Sequence, residues 1–136
     1  MTAKSLRYSW SFTVLGAPRT KKNHGDRWKP AGSNRTLTVP SKAWRAWLAT
    51  VGFQLQDGHI RRRFTDGETL RFPVNCQAIF YRDALRGDAV GYYQGLADLL
   101  EKTGVVKNDA QIVSWDGSRL LVDRKNPRTE VTLESA

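Results

Sequence analysis

RGDAVGYYQGLADLLEKTGVVKNDAQIV, which spans Arg86–Val113, is the stretch that decides the fold. Its apolar residues recur at helical spacing and predict a helix from about Ala89 to Lys102 that ends at Thr103-Gly104. The residues predicted to face the core are Val90, Tyr93, Leu96, Ala97 and Leu100. Asp88 stands just before this helix and Asp109 lies just beyond it, so two carboxylates flank one helix.

Strand patterns lie on both sides of the helix. Before it, YSWSFTVL (Tyr8–Leu15) and FPVNCQAIFYR alternate apolar and polar side chains. After it, AQIVSWDGSRLLVDRKNPRTEVTLE contains β-rich runs that are broken by Asp116-Gly117 and by Asn126-Pro127. These runs predict further strands.

Between the first two strands lies a basic connection and then a second helix. GAPRTKKNHGDRWKPAGSNRTLTVP predicts a long loop with a short strand at Arg35–Val39. Ser41 suits the N-cap of a helix whose apolar face comprises Trp44, Trp47, Leu48, Val51 and Leu55. The element order β, α, β, α, β, β predicts an α+β fold, with a small mixed sheet that carries two helices on one face.

Length and composition predict one cytoplasmic domain that covers residues 1–136. The single cysteine, Cys76, excludes an internal disulfide and a multi-thiolate zinc site, and its strand position predicts a buried thiol. No apolar run approaches the roughly 20 residues of a membrane span, and the first residues do not resemble a signal peptide. We therefore expect no membrane partner.

The positive charge is concentrated in one sector. The chain has a net charge of +9, and between Arg19 and Arg63 eleven basic residues face only Asp26 and Asp57, a local balance of +9. Such a sector is typical of proteins that bind a phosphate backbone, although solvated lysines and arginines also occur without such a partner.

The two flanking aspartates have two interpretations from the residues alone. Aspartate is a favoured N-cap, and Asn-Asp before a strand is ordinary turn chemistry. Alternatively, Asp88 and Asp109 share a site, which requires Val105–Asn108 to run back along a helix about 21 Å long. Spacing does not decide between these alternatives.

The region Gly87–Val113 resembles the signature region of the RusA-like Holliday junction resolvases. The similarity rests on an aspartate after a basic turn, on ADLLEKTG and VVKNDAQI, and on the strand start Asp109-Ala110-Gln111. Gly16-Ala17-Pro18 followed by Lys22-Asn23, and a tail similar to the family's closing hairpin, extend it over about Trp10 to Glu134.

The resemblance implies an intertwined α+β homodimer that binds four-way or other branched DNA and cuts two strands symmetrically. Cutting would require Mg²⁺ or Mn²⁺ and no organic cofactor, with Asp88 and Asp109 as catalytic metal ligands and water as the nucleophile. Hard divalent ions prefer oxygen ligands, which is why carboxylates suit this chemistry.

The sequence also departs from the family pattern. Family members have Asp-x-Asp-Asn at the helix start and a lysine four residues after the second aspartate, whereas these positions here hold Val90, Gly91 and Gln94. Valine cannot ligate a metal, and glutamine brings no positive charge. Either another carboxylate replaces the lost ligand, or the protein is a catalytically weak or inactive junction-binding protein.

Asp116 is the first candidate for the replacement ligand, although Asp-Gly is also a common turn pair. Asp98 is predicted to be a surface charge. The residues predicted to contact DNA are Lys21, Lys22, Asn23, Arg27, Trp28, Lys29, Arg61, Arg62 and Arg63. Their cations would hold phosphates while Trp28 stacks on an exposed base; the alternatives are a Trp28 tucked under its loop and a solvated arginine run.

Overall fold

The computed structural model describes residues 8–20, 26–28, 37–39, 41–56 and 69–136. In chain order its elements are β1 (Ser9–Leu15), β2 (Asp26–Trp28), β3 (Leu37–Val39), α1 (Lys42–Gln56), β4 (Val74–Arg82), α2 (Ala89–Lys102), a 3-10 helix (Asp109–Gln111), β5 (Ile112–Ser114), β6 (Arg119–Val122) and β7 (Arg128–Ser135). The mixed α+β class predicted from the sequence is confirmed.

Five strands form one mixed sheet. β7 pairs antiparallel with both β1 and β4, and Val131 of β7 lies in register between Phe12 and Ala78. β5 and then β6 pair with β4 in parallel. β5 pairs with the first residues of β4 and β6 with its last residues, so these two short strands lie one after the other along the same side of β4.

A separate two-stranded sheet joins β2 to β3 within the basic connection. The short strand predicted at Arg35–Val39 is therefore present, although it begins at Leu37. Its partner Asp26–Trp28 was not predicted, because three residues are too few to show a strand period.

Alternating side chains of the large sheet form the core together with both helices. Val74, Cys76, Ala78 and Phe80 of β4 are fully buried, and α1 contributes Trp44, Trp47, Val51 and Leu55 to the same core. The two helices also contact each other, since the indole Nε1 of Trp44 donates to the carbonyl of Gly95 at 3.2 Å. Burial raises the pKa of the Cys76 thiol, so this cysteine is a structural residue.

The inward face of α2 differs in part from the prediction. Its buried residues are Tyr92, Gly95, Leu96, Leu99 and Leu100, whereas Val90 is 62% exposed. Tyr92 is fixed inward because its ring packs against Phe80, with centroids 5.4 Å apart, and its hydroxyl donates to the carbonyl of Arg86 at 2.9 Å. The helix is thereby rotated so that Val90, Tyr93 and Ala97 line a groove, although Tyr93 also packs against the core as predicted.

Both helix starts follow the predicted capping chemistry. The hydroxyl of Ser41 accepts a hydrogen bond from the amide of Trp44 at 3.2 Å, and the carboxylate of Asp88 accepts one from the amide of Gly91 at 2.8 Å. Gly104, with a φ of 80°, follows the end of α2. Among the described helices, none combines the length and apolar character needed to cross a membrane.

Candidate functional site

The chain that leaves α2 is held by backbone pairing with the segment before β4. The amide of Leu70 donates to the carbonyl of Val105 at 2.9 Å, and the amide of Lys107 donates to the carbonyl of Leu70 at 3.1 Å. This short parallel bridge directs the chain toward the 3-10 helix, whose first residue is Asp109, and so fixes the position of Asp109.

The 3-10 helix is stabilised by a capping box and by one glutamine. The side-chain Oδ1 of Asn108 accepts a hydrogen bond from the backbone amide of Ala110 at 2.8 Å, and the backbone amide of Asn108 donates to Oε1 of Gln111 at 2.9 Å. The Nε2 of Gln111 donates to the carbonyls of Leu70 and Phe72, both at 3.0 Å. Every polar atom of the Gln111 amide is thus used to hold this turn against the segment before β4.

Three carboxylates meet where this turn approaches α2. The amide of Asp109 donates to Oε2 of Glu101 at 3.1 Å, and carboxylate oxygens of Asp98, Glu101 and Asp109 all lie within 4.8 Å of one another. Asp98 and Glu101 are half-buried and Asp109 is exposed. Three like charges at this distance repel one another, and a bound cation would relieve that repulsion. We call these three residues the acidic cluster.

A groove of about 410 Å³ extends from the acidic cluster along α2. Its lining residues are Val90, Tyr93, Gln94, Ala97, Asp98, Asp109, Ile112 and Trp115. Val90, Gln94 and Asp98 follow one another at intervals of four residues, which places them along one side of the helix. Val90 and Gln94, two of the three positions that depart from the resolvase pattern, therefore line the same groove as Asp109.

Asp88 stands at the other end of α2 from the acidic cluster. Its exposed carboxylate caps the helix through the amide of Gly91, and ten residues separate it from Asp98, which corresponds to about 15 Å of helix axis. Among the described residues, the structure brings Asp109 together with Asp98 and Glu101, and Asp88 is not part of that group. Its role as a metal ligand stays a prediction.

Asp116 lies in the turn between β5 and β6. Its amide donates to Oδ1 of Asn75 at 2.9 Å, and the amide of Ser118 closes the turn on the carbonyl of Trp115 at 3.1 Å. Gly117 has a φ of 86°, a conformation that favours glycine. The predicted Asp-Gly turn is thus present, and Asp116 does not belong to the acidic cluster. Its role as a metal ligand also stays a prediction.

The predicted DNA contacts fall largely outside the described residues. Lys21, Lys22, Asn23, Lys29 and Arg61–Arg63 lie outside them, as do the side chains of Arg27 and Trp28, whose backbone forms part of β2.

An arginine group lies at the start of α2. Asp83 pairs with Arg19 at 3.4 Å and with Arg86 at 3.5 Å, while the buried Arg82 donates to the carbonyls of Arg86 and Leu121. Burial raises the pKa of Tyr92, and the three arginines oppose that shift. The guanidinium groups of Arg19 and Arg86 thus flank the carboxylate of Asp83.

Sequence reasoning missed Asp98 and Glu101 as members of the acidic cluster. Asp98 is half-buried and faces the groove, so its prediction as a simple surface charge was wrong. Their spacing of three residues places the two carboxylates side by side on α2, and this like-charge pair was the available sequence signal.

No protein-family model and no curated protein matches the chain. The resemblance to RusA-like resolvases stays a prediction that rests on sequence motifs alone.

Proposed function

We propose that this chain is a metal-dependent endodeoxyribonuclease that binds branched DNA, four-way junctions in particular, and hydrolyses phosphodiester bonds. The observation that carries the proposal is the acidic cluster at one end of the groove, in which carboxylate oxygens of all three residues, Asp109 included, lie within 4.8 Å of one another. The resolvase-like sequence around it and the net charge of +9 support a nucleic-acid substrate.

The donor set of the acidic cluster fits Mg²⁺ or Mn²⁺. All three groups offer carboxylate oxygens, which hard divalent cations prefer. Because their carboxylate oxygens lie within 4.8 Å of one another, Asp98, Glu101 and Asp109 would hold the ion. A bound ion would offset the charge that develops on the phosphodiester and would orient a water molecule.

The chain's own groups would bind and orient the reactants. The exposed carboxylate of Asp109 can accept a hydrogen bond from the attacking water, and the exposed amide of Gln94 can donate to a phosphate oxygen. Arg19 and Arg86 lie at the start of the same helix, where their guanidinium groups can contact phosphates. Symmetric cutting of two strands requires two such sites, so we expect a homodimer.

Cleavage of a synthetic four-way junction, with and without Mg²⁺ or Mn²⁺, tests the proposal. We expect metal-dependent cutting by the wild type, loss of cutting in Asp109→Asn, and retention in Glu134→Gln, which removes an exposed carboxylate from β7. Asp88→Asn tests the second predicted catalytic aspartate in the same assay. If neither metal supports cutting, the nuclease proposal is wrong.

A second candidate is a catalytically inactive protein that binds branched DNA. It is favoured by Val90, which lines the groove, is 62% exposed, and offers no ligand atom where the family has an aspartate. Junction binding without cutting under either metal would support it. In both cases affinity should fall steeply with salt, because phosphate contacts release counterions.

A further inference from the structure

We propose that Tyr93 and Trp115 form a platform on which one unpaired nucleobase of the bound DNA stacks. This inference rests on the proposed function, since it states how the groove beside the acidic cluster receives its substrate. It assigns a role to a pair of aromatic residues that the sequence analysis did not select as site residues.

The platform is formed before any ligand binds. The rings of Tyr93 and Trp115 are stacked, with centroids 4.6 Å apart and planes only 6° from parallel. Tyr93 lies on α2, and its ring also packs against the fully buried ring of Phe80, with centroids 6.1 Å apart. Trp115 is the first residue of the turn between β5 and β6, and its carbonyl accepts a hydrogen bond from the amide of Ser118. Because both rings are held by the fold, binding orders few additional side chains and loses little entropy.

Both aromatic residues are partly exposed, and both line the groove. Large aromatic side chains usually bury their surface, and a flat ring that remains accessible in a concave site offers a stacking surface. A volume of about 410 Å³ has room for a nucleobase. The remaining walls include the apolar side chains of Val90 and Ile112.

The polar groups of the groove select the class of ligand. Asp98 and Asp109 accept hydrogen bonds and repel anions, whereas Gln94 can both donate and accept. A planar aromatic group can stack on the platform, and N–H donors at its edge can bond to the carboxylates of Asp98 and Asp109. Nucleobases combine both features. The chain's charge of +9 favours a polyanion that carries such bases over a cationic peptide.

The position of the platform connects it to the proposed reaction. Asp98 and Asp109 belong both to the groove and to the acidic cluster. A base stacked on Trp115 would therefore hold the adjoining phosphodiester near the three carboxylates. Base stacking on aromatic side chains tolerates any sequence, so the platform would select unpaired bases rather than a particular base.

Photo-crosslinking without metal tests this inference directly. A four-way junction that carries 5-iodouracil at single positions around its branch point is bound in EDTA and irradiated, and crosslinked peptides are mapped by mass spectrometry. We expect crosslinks to Trp115 or Tyr93 from a position at the branch point. Crosslinks that map only to other residues would overturn the platform.

Matched variants separate stacking from folding. Trp115→Leu and Tyr93→Leu should weaken junction binding by roughly 5-fold to 150-fold, the range for loss of one stacked base, and Trp115→Phe should retain most of the affinity. Tyr8→Leu is the control, because Tyr8 is also partly buried and contacts another ring, that of Phe72. Equal weakening by Tyr8→Leu, or a Trp115→Phe variant as weak as Trp115→Leu, would overturn the inference.

The metal-free readout separates this inference from the proposed function. Crosslinking through Trp115 without cutting under any metal would refute the nuclease and support the platform. Cutting without crosslinking at Trp115 or Tyr93 would refute the platform alone. If the protein fails to bind the junction in EDTA, the platform is overturned.

Discussion

The backbone amide of Asp109 donates a 3.1 Å hydrogen bond to Oε2 of Glu101, eight residues earlier in the chain. This bond draws the residue beyond α2 back onto the last turns of that helix, where its carboxylate approaches that of Asp98. The bond also gives one of the three carboxylates a backbone hydrogen-bond donor. This hydrogen bond thus links the sequence motif around Asp109 to a candidate metal site on α2.

Asp109→Asn should change the response of protein stability to metal. If the acidic cluster holds a divalent ion, metal at 100 times its dissociation constant stabilises the wild type by about 2.7 kcal/mol, and this gain should be lost in the variant. In EDTA the variant should unfold at a slightly higher temperature than the wild type, because one of three repelling charges is gone. Thermal unfolding with and without Mg²⁺ or Mn²⁺ measures both effects.

Asp116→Asn is the matched control for that measurement. Asp116 lies outside the acidic cluster, so its substitution should leave the metal-dependent stabilisation unchanged. A metal response that disappears in Asp116→Asn and persists in Asp109→Asn would contradict this assignment and favour the ligand first suggested by the sequence.

Gln111→Glu should destabilise the turn that presents Asp109. The Nε2 of Gln111 donates to two backbone carbonyls at 3.0 Å, and a carboxylate would oppose both carbonyls with negative charge. We expect the free energy of unfolding to fall by about 2 kcal/mol, since two acceptors lose their donor. Urea unfolding measures the change.

Gln54→Glu provides the comparison for Gln111→Glu. Gln54 also uses both ends of its amide, with the backbone of Leu15, but at the end of β1. Both substitutions should lower stability, yet only Gln111→Glu should also weaken metal binding. Equal metal affinity in the two variants would contradict a role for Gln111 in positioning Asp109.

The bounds of α2 could be predicted from the sequence because they depend on local chemistry. Asp88 caps the first turn, and Gly104 adopts the positive φ that follows the last turn. The orientation of the helix could be predicted only in part. Apolar residues cover so wide an arc that Tyr92 and Tyr93 both fit an inward position, and the packing of Tyr92 on Phe80 decides between them.

The acidic cluster could not be derived from spacing alone. Asp109 reaches Glu101 only because the chain after α2 pairs with Leu70, which lies more than thirty residues earlier. Gln111 adds bonds to the same segment. Such long-range pairing leaves no periodic pattern in the sequence, so the sequence predicts a surface charge at Asp98 and does not reveal its carboxylate neighbours.

The stabilising contribution of Asp123 should be lost in acid. Hydrogen bonds from Arg128, at 2.9 Å, and from two backbone amides hold the pKa of Asp123 below its ordinary value of 3.8. The Asp123 carboxylate therefore binds a proton more readily in the unfolded chain than in the folded protein. The stabilisation is fully present above about pH 4 and is lost as the pH falls through the lower pKa of the folded state.

Unfolding of the wild type and Asp123→Asn across pH 2 to 7 measures this contribution. The variant should be less stable at neutral pH, and the difference between the two proteins should shrink below pH 4. In the wild type the guanidinium of Arg128 lies 3.7 Å from the centroid of the Tyr81 ring, a contact that does not involve Asp123 and that the variant should keep. A difference that does not depend on pH would contradict the role of the Asp123 carboxylate.

Val90→Asp combined with Gln94→Lys should increase cutting of branched DNA. The two substitutions restore the acidic and basic residues that resolvase-like sequences have at these positions, and both positions line the groove beside the acidic cluster. Because Val90 is 62% exposed and lies in the first turn of α2, aspartate should change stability by no more than about 0.5 kcal/mol. We expect at least a tenfold higher cleavage rate under Mg²⁺ in single-turnover assays. Val113→Asp, an equivalent change at a 58% exposed position outside the groove, should leave the rate unchanged; an equal gain from both would show that groove chemistry is not the cause.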